Sequence, residues 1–136
     1  MKRKEKQMIK IQIKGDIIDD ETAELYEWFG IPNYTSPKIV LDALEQAGNN
    51  QVTLEISSPG GYLTAASEIY TALRNHKAGV VGEITGIAAS AASVIFMAGE
   101  ERIVPNSSLL MIHNAWTSAS GNAKEMYENG IRASFK

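Results

Sequence analysis

The chain contains no cysteine at all, which excludes a disulfide framework, a thiolate metal site and a cysteine nucleophile. It lacks a marked charge of either sign: 13 basic and 16 acidic residues leave a net charge of −3, so nucleic acid is not an expected partner. Long apolar runs are missing too. The most apolar stretch, residues 86–99 (GIAASAASVIFMAG), has 14 residues and falls short of the roughly 18 to 20 that cross a bilayer. The basic start MKRKEK is not followed by the apolar core of a signal peptide. There is no internal repeat, low-complexity tract or linker. What remains is 136 residues, 44% of them hydrophobic, enough for one core burying roughly two thirds of the unfolded surface. One cytosolic domain spanning residues 1–136 is therefore expected.

Two residue periods alternate along this chain. Ile9, Ile11 and Ile13 alternate with Lys10, Gln12 and Lys14, as in a strand with one face in the core. The segment DDETAELYEWFG predicts a short helix ending at Gly30, and IPNYTSP a turn-rich loop. Ser36 and Pro37 suit an N-cap and first helical position, with Gly48 closing that helix. Residues 51–57 read as a strand, SSPGG as a turn, and Tyr62, Ala66, Ile69, Tyr70 and Leu73 as one face of a helix ending near Gly79. Residues 80–86 are the next expected strand and 86–99 a buried helix. Strands at 101–104 and 109–113 follow, then a helical start at Asn122, with Glu125 completing a capping box. Strand and helix in alternation imply an α/β fold with a mainly parallel sheet, whose sites form at the carboxyl ends of strands.

Three features fall at such ends. In SSPGG, two glycines let the backbone turn tightly and aim N–H groups at a carbonyl oxygen, or simply make a β-to-α turn. Ser90 follows a strand and opens a helix, where a hydroxyl is exposed to a cleft and the helix N-terminus favours negative charge. Taken alone, Ser90 and Ser93 also read as small hydroxyls bonded back to a carbonyl one turn earlier. His113 ends an apolar strand, and a lone histidine is commonly structural. Serine, histidine and glycine turn on one sheet edge together favour nucleophilic chemistry. Elsewhere, Tyr26, Trp28, Phe29 and Tyr34 read as a local core under a loop, with a partner contact as the alternative. His76 beside Lys77 reads as solvated surface.

The segments ISSPGG (56–61), GIAASAAS (86–93), MAG (97–99) and PNSSLLMIH (105–113), in that order and spacing, resemble the ClpP-type serine peptidases. The likeness runs from about residue 9 to about residue 125, and His113-Asn114-Ala115-Trp116 with Gly121-Asn122-Ala123 resembles the prophage head-maturation branch. The resemblance implies a ClpP/crotonase-like fold with flanking helices, Ser90 as nucleophile and His113 as general base. It further implies backbone N–H groups of Gly60, Gly61 and Ala91 as the oxyanion hole, with Ser93 turned away. It implies a polypeptide substrate, a homo-oligomer, an ATPase or capsid-protein partner, and no cofactor or metal; no membrane is expected. Family members carry an aspartate downstream of the histidine and a long C-terminal helix, whereas no aspartate follows Asp42 here. Either the chain is a fragment, or it is a truncated protein without the third triad member and the family's C-terminal helical part. An impaired structural subunit and a crotonase-type acyl-CoA enzyme are the alternative readings. A serine–lysine peptidase would need a lysine in place of His113; Lys77 and Lys124 sit at helix ends.

Overall fold

The computed structural model describes residues 8–113 and 122–124. Their elements, in order, are β1 (Ile9–Ile17), α1 (Asp20–Trp28), β2 (Tyr34–Thr35), α2 (Pro37–Ala47), β3 (Val52–Gly61), α3 (Leu63–Arg74), β4 (Val80–Ala89), α4 (Ala91–Phe96), β5 (Glu101–Ile103) and β6 (Leu109–Met111). They form an α/β fold around one sheet in the order β2-β1-β3-β4-β5, with β6 also on β4. Every pairing among the described residues is parallel. Because β3 occupies one edge of β4 from Val80 to Ala88, β5 and β6 divide the other: Val81–Glu83 pair with β5, Ile87–Ala89 with β6.

The period-2 pattern determines where the core lies. Ile11 and Ile13 of β1, Val52, Leu54 and Ile56 of β3, and Val80 and Ile84 of β4 are buried on one face. There they meet Val40 and Leu44 of α2, Ala66, Ile69 and Leu73 of α3, and Ala92 and Ile95 of α4. Parallel strands covered on both faces read as unbroken apolar runs. These alternate, and the residues between, such as Lys10, Gln12 and Lys14, are exposed. A depression of about 460 Å³ on that polar face is lined by Lys14, Gly15, Asn33, Ser57 and Thr85; Ser90 is not among them.

Local signals hold where the chain makes its own cap. Asp19 caps α1 through its side chain, accepting from the Thr22 N–H at 2.7 Å. Hydrogen bonds from the Thr22 side chain and then its backbone N–H hold the Asp19 carboxyl below its ordinary pKa. Ser36 precedes Pro37 at the start of α2 in extended backbone, and Gly48 ends the helix with φ 59°. The Ser36 side chain makes no capping bond.

Several boundaries differ from expectation. The first strand extends to Ile17, and the loop after α1 contains β2, which pairs Asp16 with Tyr34 and Ile17 with Thr35. The SSPGG segment is not a turn: β3 runs through it, with Asp16 opposite Gly60 and Ile17 opposite Gly61. Helix α3 stops at Arg74, where the Asn75 N–H bonds Thr71 and His76 begins the turn to β4. Residues 86–99 are not one helix, because β4 continues to Ala89 and only Ala91–Phe96 are helical. Pairing on both edges of β4 overrides the helical propensity of its alanines. The strand expected at 109–113 ends at Met111 and is exposed, and the one at 101–104 ends at Ile103.

The aromatic cluster is not a buried core: Trp28 and Phe29 are 84% and 73% exposed. Tyr26 and Tyr34 do meet, edge to face at 5.7 Å, and donate to Asp16 and Glu27 respectively. His76 is half-buried rather than fully solvated, with Nε2 2.8 Å from the Asn50 carbonyl. Ala123 and Lys124 are helical after Asn122, whereas Glu125 lies outside the described residues, as do Asn114, Ala115, Trp116 and Gly121.

Candidate active site

Strand β4 delivers Ser90. Its last residue, Ala89, lies opposite Met111 of β6, and the Ser90 N–H donates to the Met111 carbonyl at 3.0 Å. The next peptide starts α4, so the chain must reverse direction at one residue. Ser90 does this with φ 56° and ψ −124°, the only positive φ at a non-glycine residue among those described. Holding an L-residue in such a sparsely populated conformation costs about 1–3 kcal/mol, and such outliers cluster at functional sites. The side chain makes no capping bond, so its hydroxyl is not spent on the helix it precedes. Helix α4 has only six residues. A long helix dipole is therefore not the source of positive charge here; only the first N–H groups are.

Strand β3 brings its glycines against this elbow. A Cβ on Gly60 would stand 2.7 Å from the Ala89 carbonyl oxygen, 2.8 Å from Ser90 Cβ and 3.1 Å from the Ala91 nitrogen. Gly60 also has φ 104°, so only glycine satisfies both demands. At Gly61 a Cβ would overlap the Ile17 carbonyl, at 2.1 Å from its oxygen.

Ser58, which the sequence reading passed over, locks this approach. It is fully buried, donates to the Gly15 carbonyl at 2.6 Å, and accepts the Gly60 N–H at 3.1 Å. The Gly60 N–H is thereby engaged within the protein, which removes it from the expected set of oxyanion donors. The Tyr62 N–H bonds Ile17 of β1 at 2.8 Å. Successive N–H groups of a strand point to opposite edges, so that of Gly61 is directed away from β1. Pro59, with no N–H to offer, stands where β3 carries one residue more than β1 between the pairs Lys14–Ser57 and Asp16–Gly60. A hydroxyl two residues before a glycine pair was the available signal for Ser58; its partner, the Gly15 carbonyl 43 positions away, left none.

Ser93 is buried and donates from both N–H, at 2.9 Å, and Oγ, at 2.5 Å, to the Ser90 carbonyl. It is the packed, back-bonded serine, and Ser90 is the one at the bend. His113 lies two residues beyond Met111, exposed, at the strand edge where Ser90 also emerges.

A parallel α/β sheet with a strained serine between strand and helix, set against a glycine of the neighbouring strand, defines the class of protein. The sequence profile described as Clp protease matches residues 31–131, and the chain belongs to that family. It is 35% identical over 120 residues to "ATP-dependent Clp protease proteolytic subunit 3, chloroplastic" of Arabidopsis thaliana, covering 86% of this chain and 35% of that one. To an "ATP-dependent Clp protease proteolytic subunit" of Chlorella vulgaris it is 34% identical over 111 residues, covering 80% and 50%. To one of Bacteroides fragilis it is 31% identical over 121 residues, covering 88% and 54%. The chain thus spans between about a third and about half the length of these relatives.

Proposed function

We propose that the chain carries the nucleophile and base of a serine endopeptidase, Ser90 and His113. The observation that carries this reading is the positive-φ conformation of Ser90, held against Gly60 in a chain of the Clp protease family. Ser90 Oγ forms a bond to the substrate's peptide carbonyl carbon while His113 accepts the hydroxyl proton and the carbonyl π pair moves onto oxygen. The resulting oxyanion is held by the N–H groups of Gly61 and Ala91. Collapse breaks the C–N bond, His113 returns the proton to the departing amine, and water clears the acyl enzyme by the same steps.

The test is labelling by a fluorophosphonate probe, which reacts only with an activated serine. Ser90 is labelled in the 136-residue chain, and Ser90→Ala abolishes labelling. A label that persists in that variant, or moves to Ser93, overturns the assignment.

The wider expectations belong to the same proposal: one domain over residues 1–136, a cytoplasmic polypeptide-cleaving homo-oligomer, and a place in the prophage head-maturation branch beside a capsid-protein or ATPase partner. The names of the relatives support the ATPase link, and the motif around His113 is the support for the prophage branch. A second reading is an assembling subunit with impaired turnover. It predicts poor labelling of Ser90 in a folded chain. The crotonase-type alternative leaves the bend at Ser90 without a purpose.

A further inference from the structure

We infer that Ser93 is a positioning residue for the oxyanion donor at Ala91, an inference that rests on the proposed role of Ser90. The Ser90 carbonyl and the Ala91 N–H belong to one planar trans peptide, so whatever fixes the oxygen fixes the direction of the N–H. Ser93 holds that oxygen twice, through its own N–H at 2.9 Å and through Oγ at 2.5 Å. On the other side of Ser90, the Met111 carbonyl holds its N–H at 3.0 Å. The bend is therefore clamped before and after the nucleophile. The second clamp is needed because φ 56° and ψ −124° is not a conformation to which a serine relaxes unaided.

The hydroxyl does more than fill space. Ser93 is buried beside Ala91 and Ala92, so an alanine would pack in its place. What alanine lacks is the Oγ donor. Hydrogen bonds accepted by a peptide oxygen also draw density from its nitrogen and strengthen the N–H as a donor. Ser93 thus both aims and polarises Ala91 N–H toward the place where negative charge develops.

The experiment compares Ser93→Ala, Ser93→Cys and Ser93→Thr with the wild-type chain in fluorophosphonate labelling rate and in turnover of an activated ester and its thionoester analogue. Loss of a complete oxyanion donor lowers kcat on the order of 10²–10³-fold, so mis-aiming one is expected to cost about 10- to 100-fold in Ser93→Ala, with KM unchanged. Cysteine, a weak donor, should fall between alanine and wild type, and threonine should restore part of the rate. The loss should be smaller on the thionoester, whose sulfur accepts hydrogen bonds weakly. The Ser90 carbonyl keeps the Ser93 N–H in every variant, so melting temperatures should move little. Should the alanine variant fold poorly, the cysteine variant, close in volume to serine, carries the comparison. Labelling of all variants within twofold of wild type overturns the inference while leaving Ser90 as nucleophile; so does an equal loss on ester and thionoester. Failure of the wild-type chain to label at Ser90 overturns the reading beneath it.

Discussion

The carboxyl ends of β3 and β4 lie side by side and meet the same demand, positive-φ backbone, with opposite residues. At the end of β3 the demand falls on Gly60 and Gly61, which carry no side chain and accept φ of 104° and 153°. At the end of β4 it falls on Ser90, which has a Cβ and a hydroxyl. Glycine is the low-energy choice wherever only the path of the chain matters. A serine in such a place means that the side chain itself is wanted. The comparison also explains the surroundings: Gly60 is tied to the buried Ser58, and Ser90 is held by Met111 and Ser93. Each end is over-determined by hydrogen bonds from residues outside the bend.

The sharpest way to break the contrast is to make the two ends alike. Ser90→Gly should lose labelling and ester turnover by about 10³-fold or more, since the nucleophile is gone. It should at the same time raise stability by about 0.5–2 kcal/mol, through relief of strain less the added freedom of glycine. Ser90→Ala keeps the Cβ and should lose the same activity without that gain. Denaturant melts of the two variants measure this net gain, and equal midpoints would mean that the strain at Ser90 is no larger than the cost of glycine's added freedom.

The reciprocal change, Gly60→Ala, places a methyl group against the Ala89 carbonyl and Ser90 Cβ at an unfavourable φ. A destabilisation of about 2–4 kcal/mol is expected, together with slower labelling, because the clash displaces the nucleophile. Ser58→Ala comes next in size. It removes one partner from the Gly60 N–H and one from the Gly15 carbonyl, a cost of about 1–3 kcal/mol read from the same melts.

How much of this was legible follows from which interactions are local. The alternation in β1, the Pro37 start of α2 and its Gly48 stop depend on neighbours in sequence, and each stands where it was read. Of the apolar face read for α3, Ala66, Ile69 and Leu73 lie in the core, whereas Tyr70 is half-buried and Tyr62 is exposed and precedes the helix. That Ser90 and His113 follow strands of one sheet edge was legible from strand order; the pairing of β4 with β6, which makes those strands neighbours, was not. Residues 86–89 were not, because Gly-Ile-Ala-Ala becomes a strand only through β3 and β6. The clamp of Ser58 on Gly15 joins residues 43 apart and follows from sheet register alone. Trp28 and Phe29 misled because aromatic content signals contact area without saying whether the contact lies inside the chain.

The smallest effect expected is a control far from both strand ends. Asp19 has its pKa lowered by the Thr22 hydrogen bonds, so its capping contribution is present above the ordinary carboxylate pKa. It is lost as pH falls through the lowered value. Acidification should therefore fray α1 slightly while the β3 and β4 ends keep their pairing, which amide exchange along the chain would resolve.

One detail of the register sets the slack before the bend. Between the pairs Ile56–Ile84 and Ser58–Ala88, β3 advances two residues and β4 four. The extra length of β4 is absorbed as a bulge, and the strands resume pairing with Ser58 and Ala88, both buried, opposite each other. A bulge bends its strand and sharpens the local twist, so the length of β4 between Ile84 and Ala88 sets the direction from which the chain arrives at Ser90. Loss of two residues there is expected to straighten β4 and carry Ser90 away from Gly60, which slower labelling would report.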